Sequence, residues 1–170
     1  MTQSGSTGQA EDAPAGRPAE SRTAARGRTL GLDVGQRRIG VAISDELGWT
    51  AQGLTVIERR GAKADAARIA EIAREHGCTR IVIGLPRRTD GRLGPEAEDA
   101  QAFGRRLEQV AGVPVVYWDE RFSTAQAEHT LIAAGVRRAR RREVIDQVAA
   151  SVILQAYLDR QRRATDMGQE

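Results

Sequence analysis

From Thr29 onward, short apolar runs alternate with longer stretches in which apolar residues recur every three or four positions. "TLGLDV", "RIGVAIS" and "AQGLTVIE" read as three strands, and the tight glycine-containing turn between the first two predicts an antiparallel hairpin or meander. "AKADAARIAEIAREHG" puts Ala66, Ile69, Ala70 and Ala73 on one helical face and stops at Gly77. "TRIVIGLP" is a continuous apolar run closed by Pro86, as in a strand buried on both faces. After "RRTDGRLG", Pro95 suits a first helical position, and Ala100, Phe103, Leu107 and Val110 keep one face apolar up to Gly112. "VPVVYW" predicts another buried strand, which runs directly into Asp119 and Glu120. Ser123 and Gln126 have capping-box spacing for a helix ending near Gly135. A last helix covers about residues 142 to 160, with Val144, Ile145, Val148, Val152 and Ile153 on its inner side.

The order βββαβαβαα joins antiparallel strands to βαβ crossovers. It predicts an α/β fold: a mixed sheet of five strands, the first three antiparallel, with helices on both faces. The chain has 170 residues, 40% of them hydrophobic, enough for one globular domain with a real core. Residues 1–27 are small, Pro- and Gly-containing and aperiodic, and read as a disordered tail. The domain is expected over 28–160, followed by a flexible tail over 161–170. No apolar run approaches the ~20 residues of a membrane span and none resembles a secretory core, so the expectation is a soluble, cytoplasmic protein. Cys78 is the only cysteine, which removes a disulfide framework or thiolate cluster and leaves a small buried hydrophobe as its simplest role.

Net charge is only +3, but of 26 Lys+Arg residues Lys63 is the sole lysine. Arginine's planar fork matches phosphate oxygens two at a time, which suits a nucleic-acid binder; a GC-rich genome would produce the same bias. Position adds to composition: "VRRARRREVID" gathers Arg137, Arg138, Arg140, Arg141 and Arg142.

The acids give the sharpest chemical reading. Asp33 ends the first strand, Glu120 follows the last, and in an open α/β sheet ligands collect at such strand ends. Asp146 lies about one turn into the final helix with Ala149 and Ala150 on its face, small residues that would let the helix approach the sheet and bring a third carboxylate to that edge. Three carboxylates in a partly dry site need a compensating cation, and hard Mg²⁺ or Mn²⁺ prefers oxygen ligands. Such a site can run two-metal phosphodiester hydrolysis. Each acid alone also has an ordinary explanation: Asp33 as a turn residue, Glu120 in a surface pair with Arg121, Asp146 as a helix-dipole partner.

"GLDVGQRRIGVAISD", "IVIGLPRRTDGRLGP", "DERFSTAQAE" and "EVIDQVAASVILQAYLD" together resemble the bacterial YqgF-type proteins, also called RuvX, of the RNase H-like superfamily. The likeness runs from about Arg28 to Arg160. It implies an RNase H-like fold and metal-binding catalytic acids, which fall here on Asp33, Glu120 and Asp146. It also implies a nuclease that matures the 5′ end of precursor 16S rRNA, with cleavage of four-way DNA junctions as the alternative. Arg88 and Thr89 stand where the family often carries Asn and Met, and Glu143 and Gln147 where it often carries Lys, so contacts to substrate are where this chain departs.

Arg87, Arg88 and Arg92, in the loop after the fourth strand, are expected to contact phosphate, as are Arg121 and the Arg137–Arg142 cluster; a solvated basic face is the alternative for the cluster. Asp90 in its "DG" pair reads as a turn residue, Trp118 as strand packing rather than base stacking, and His76 and His129 as structural or exposed. The expected partner is therefore structured nucleic acid, precursor rRNA or branched DNA, and a symmetric junction would favour a homodimer. Two other classes remain open: a non-catalytic nucleic-acid-binding module, and a phosphotransferase of the sugar-kinase type, which needs two such domains where this chain has room for one.

Overall fold

A computed structural model of the chain describes residues 27–88, 90–122 and 138–167. Strands β1 (Arg28–Val34), β2 (Arg38–Ser44) and β3 (Ala51–Glu58) are followed by α1 (Ala62–Glu75), β4 (Cys78–Leu85), α2 (Pro95–Ala111), β5 (Val115–Asp119), a 3₁₀ turn (Glu120–Phe122) and α3 (Arg138–Asp166). Residues 1–26 of the tail expected over 1–27, and the expected helix from Ser123 to Gly135, with His129, lie outside the described residues. The sheet order is β3-β2-β1-β4-β5, with β1, β2 and β3 antiparallel and β1, β4 and β5 parallel. This is the RNase H-like arrangement that the motifs imply.

Strand alternation divides the interior in two. Leu30, Leu32, Ile39, Val41, Ile81 and Ile83 face α1 and α2 and form the larger core. Their neighbours on the opposite face include Ala42 and Val82, which meet Ala150, Ile153, Leu154, Tyr157 and Leu158 of α3. Pro95 opens α2, and Gly112, at φ +67, closes it in the left-handed conformation that favours glycine.

Helix α3 sits unusually close to the sheet, because glycines lie beneath it. A Cβ at Gly40 would lie 2.7 Å from the Asp146 carbonyl carbon, one at Gly31 the same distance from Leu154 Cβ, and one at Gly53 2.9 Å from Gln147 Cβ. Strand-interior glycines that weaken a sheet locally are here the means of backbone approach.

Four expectations need correction. The inward row of α3 is Ala150, Ile153, Leu154, Tyr157 and Leu158, whereas Val144, Ile145, Val148 and Val152 are half-buried beside it. Its apolar residues extend nearly round the helix, so the glycine-lined sheet, not periodicity, selects the buried row. α3 runs to Asp166, so residues 161–166, expected in the flexible tail, are helical; "QRRATD" contains neither Gly nor Pro to stop the helix. β5 is half-buried rather than buried, being the sheet's edge strand. Val110 is 50% exposed because the last turn of α2 carries it out of the core.

Gly40→Ala is expected to destabilise the fold by at least about 1–3 kcal/mol, since backbone rather than a flexible side chain must move. Urea denaturation would measure this; an unchanged midpoint would contradict the close approach.

Candidate active site

Asp33 is placed by alternation: in β1, Leu30 and Leu32 face α1 and α2, so Gly31 and Asp33 face α3. Across the ladder Asp33 pairs with Gly40, the residue on which the Asp146 carbonyl rests. Asp146 thus arrives beside Asp33 because Gly40 has no side chain. Glu120 comes from the other direction, out of the 3₁₀ turn after β5. It folds over Gly84 of β4, where a Cβ would lie 2.6 Å from Glu120 Oε1. All three expected acids therefore gather at the edge formed by the C-terminal ends of β1, β4 and β5.

Electrostatics bind the three into one group. Burial, then the charge of Asp146, pushes Asp33 up from its ordinary 3.8 to about 6. Burial, then the charges of Asp33 and Asp119, pushes Glu120 up from 4.5 to about 7. Asp33 is the shared member, repelled from both sides and partly desolvated. One cation stands among them: Arg38, at the start of β2, has Nε 3.0 Å from Asp146 Oδ2. Its N–H is not aimed at that oxygen, which is buried and accepts no hydrogen bond. Arg38 thus compensates charge without satisfying the acceptor. Among the described residues, no three carboxylate, imidazole or thiolate groups stand close enough to enclose one ion.

A second cluster adjoins the first. Asp119 Oδ2 receives Arg87 Nε at 2.9 Å and Arg121 Nη2 at 2.8 Å, and Asp119 Oδ1 accepts the backbone N–H of Arg121 at 3.1 Å. Hydrogen bonding from the Arg121 side chain holds Asp119 below the usual carboxylate range. Arg121 therefore pairs with Asp119, not with Glu120 as the ordinary alternative explanation of that acid has it. Arg87 also donates to the Gly91 carbonyl at 3.2 Å, and Asp90 accepts the Arg92 N–H at 3.0 Å, the turn role expected of it. Arg88 and Arg92 are exposed on the same loop; Thr89 between them lies outside the described residues.

Of the basic cluster, Arg137 lies outside the described residues, and Arg138, Arg140, Arg141 and Arg142 are described by backbone alone, in the opening turns of α3. Asp146 consequently stands about two turns into the helix, not one. Trp118 packs edge-on to Tyr157, with ring centroids 6.0 Å apart, and Cys78 is buried. Sequence reasoning missed Arg38, Asp119 and the glycines beneath the acids. Glycine recurring inside apolar strands, in "RIGVA" and "VIGLP", was the available signal.

A family model described as RuvX, Holliday junction resolvase, matches residues 27–160. A candidate pre-16S rRNA nuclease of Moorella thermoacetica is 55% identical over 133 residues, covering 78% of this chain and 95% of the relative. One of the same name from Symbiobacterium thermophilum is 58% identical over 132 residues, covering 78% and 92%. Among solved structures, T. thermophilus RuvC in complex with Holliday junction substrate superposes with a TM-score of 0.53 at 18% identity, covering 79% of this chain and 96% of that one. That likeness shows a common fold. The family match spans the positions of Asp33, Glu120 and Asp146, and the chain belongs to the RuvX family.

Proposed function

We propose that this protein is a divalent-metal-dependent nuclease that hydrolyses phosphodiester bonds in precursor 16S rRNA, with Asp33, Glu120 and Asp146 as its metal-binding catalytic acids. The observation that carries the reading is the convergence of these carboxylates, two of them raised to about 6 and about 7, at one sheet edge. A binding module gains nothing from desolvated acids crowded beside phosphate. The substrate follows from the candidate name shared by relatives at 55% and 58% identity. Ribosomal RNA as substrate would make the cytoplasm the working compartment.

The donor set fits Mg²⁺ or Mn²⁺ in its chemistry. All three side chains offer hard oxygen, and the buried Asp146 Oδ2 lacks a hydrogen bond. Divalent cations in such a site supply an activated water and stabilise the leaving oxygen during in-line attack at phosphorus. The chain's own residues do the rest. Asp33 and Glu120 must be deprotonated to act as ligands, so the site is expected to work better as pH rises through about 6 to 7. Arg87 and Arg121, braced on Asp119, would orient the phosphate next to Glu120. Arg38 would balance the charge of Asp146.

A second reading, cleavage of four-way DNA junctions by a two-fold dimer, is favoured by the family's description. One assay separates the two. A 5′-extended 16S precursor fragment and a four-way junction are offered side by side, with Mg²⁺ and with Mn²⁺, to wild type and to Asp146→Asn. The precursor is expected to be cut faster. The variant is expected to keep its circular dichroism while losing more than the about 10–100-fold typical of an outer-shell partner. Faster cutting of the junction would transfer the proposal to recombination, and a variant as active as wild type would remove Asp146 from the site.

The same carboxylates predict the pH dependence of stability. The folded chain keeps protons on Asp33 and Glu120 that the unfolded chain has released, so their contribution falls as pH rises between about 4 and 7. Asp119, held low by Arg121, acts in the opposite sense at more acid pH. In EDTA the melting temperature is expected to fall between pH 5 and 7.5, and saturating Mn²⁺ to raise it more at pH 7.5 than at pH 5. Equal metal-induced shifts at the two pH values would contradict the assignment.

A further inference from the structure

The arginines at the working edge fall into two sets. Arg38 is paired with Asp146, Arg87 and Arg121 with Asp119, and Arg59 with the buried Asp65 at 3.3 Å. These four are occupied by internal carboxylates. Arg37, Arg60, Arg88 and Arg92 are exposed, and among the described residues their side chains make no ion pair or hydrogen bond. Arg88 and Arg92 sit beyond β4. Arg37 and Arg60 sit on the other side of Asp33, at the start of β2 and the end of β3.

The backbone beneath these last two is firmly held. Arg59 N donates to the Arg37 carbonyl at 2.9 Å, and Arg60 N donates to Asp65 Oδ1 at 2.9 Å. Arg59 Nη1 also donates to the Gly35 carbonyl at 3.1 Å, tying the turn after Asp33 to the same platform. Lys63, in the first turn of α1, adds a third exposed cation, while Glu58, across the ladder from Arg38, is an acidic exception. Fixed backbone with free guanidinium groups is the arrangement that positions a phosphate chain without reading its bases.

From this placement, and resting on the nuclease reading, we propose that Arg37 and Arg60 form a second phosphate-binding arm. The substrate strand then crosses the edge in the order of the strands, from β3 to β5, with the scissile bond over Asp33. Strands are about 4.8 Å apart, so β3 to β4 spans about 14 Å, the axial rise of about four nucleotides in one strand of a duplex.

The test is fluorescence anisotropy in EDTA across a salt series, with single-stranded RNA spanning the 5′ processing region of the 16S precursor as probe. Arg37→Ala/Arg60→Ala is compared with the charge-matched Arg105→Ala/Arg106→Ala, exposed on α2 about 15 Å along the helix from the edge. Loss of two contacts should flatten the slope of log K against log salt by about 1.4, with the control unchanged. Trimming the probe from each end in turn should abolish the penalty at one end only. A double variant with the wild-type slope, an equal change in the control, or a penalty that survives trimming at both ends would overturn the arm. If wild type binds this RNA but never cuts it with Mg²⁺ or Mn²⁺, the nuclease reading fails while the slopes still decide the arm. A wild type that does not bind it overturns both.

Discussion

The contact on which the rest depends is the seating of the Asp146 carbonyl on Gly40. Gly40 stands beside Asp33 in the ladder, so one missing side chain both lowers α3 onto the sheet and sets two carboxylates next to each other. Gly84 does the same for Glu120 from the other side. The site is thus a product of backbone proximity. Asp33 stands on the sheet, Asp146 on the helix and Glu120 on the 3₁₀ turn after β5.

Gathering like charges is costly, and the structure shows how the cost is met. Asp33 and Glu120 hold their protons to higher pH, and Asp146 has Arg38 beside it. Next to them Asp119 binds two arginines, so the inner cations are spoken for while the outer ones face solvent. An acidic centre flanked by basic arms attracts a polyanion at its margins and bares its carboxylates where the chain must be cut.

Much of this was legible in the sequence. Period-two runs located the strands, Pro95 and Gly112 bounded α2, and an aspartate ending an apolar strand drew notice because burial there needs a reason. What the sequence could not yield was set by tertiary contact. The inner row of α3 was hidden because Val144, Ile145, Val148, Val152 and Ile153 are all apolar, and only the glycine floor decides among them. β5 read as buried because Val115 and Val116 are apolar, yet its place at the edge follows from strand order. The partner of Arg121 was ambiguous for a geometric reason: Asp119 and Glu120 are adjacent in sequence, but they leave the end of β5 toward opposite faces.

Titrating Mn²⁺ into the metal-free protein by calorimetry decides whether Asp33, Glu120 and Asp146 form a divalent-cation site. The experiment is run at pH 6 in buffers of different ionisation enthalpy. Because Asp33 and Glu120 still carry protons at that pH, the account predicts saturable binding that releases about one proton or more, with release fading by pH 8. No binding, or binding whose heat is the same in every buffer at pH 6, would contradict it.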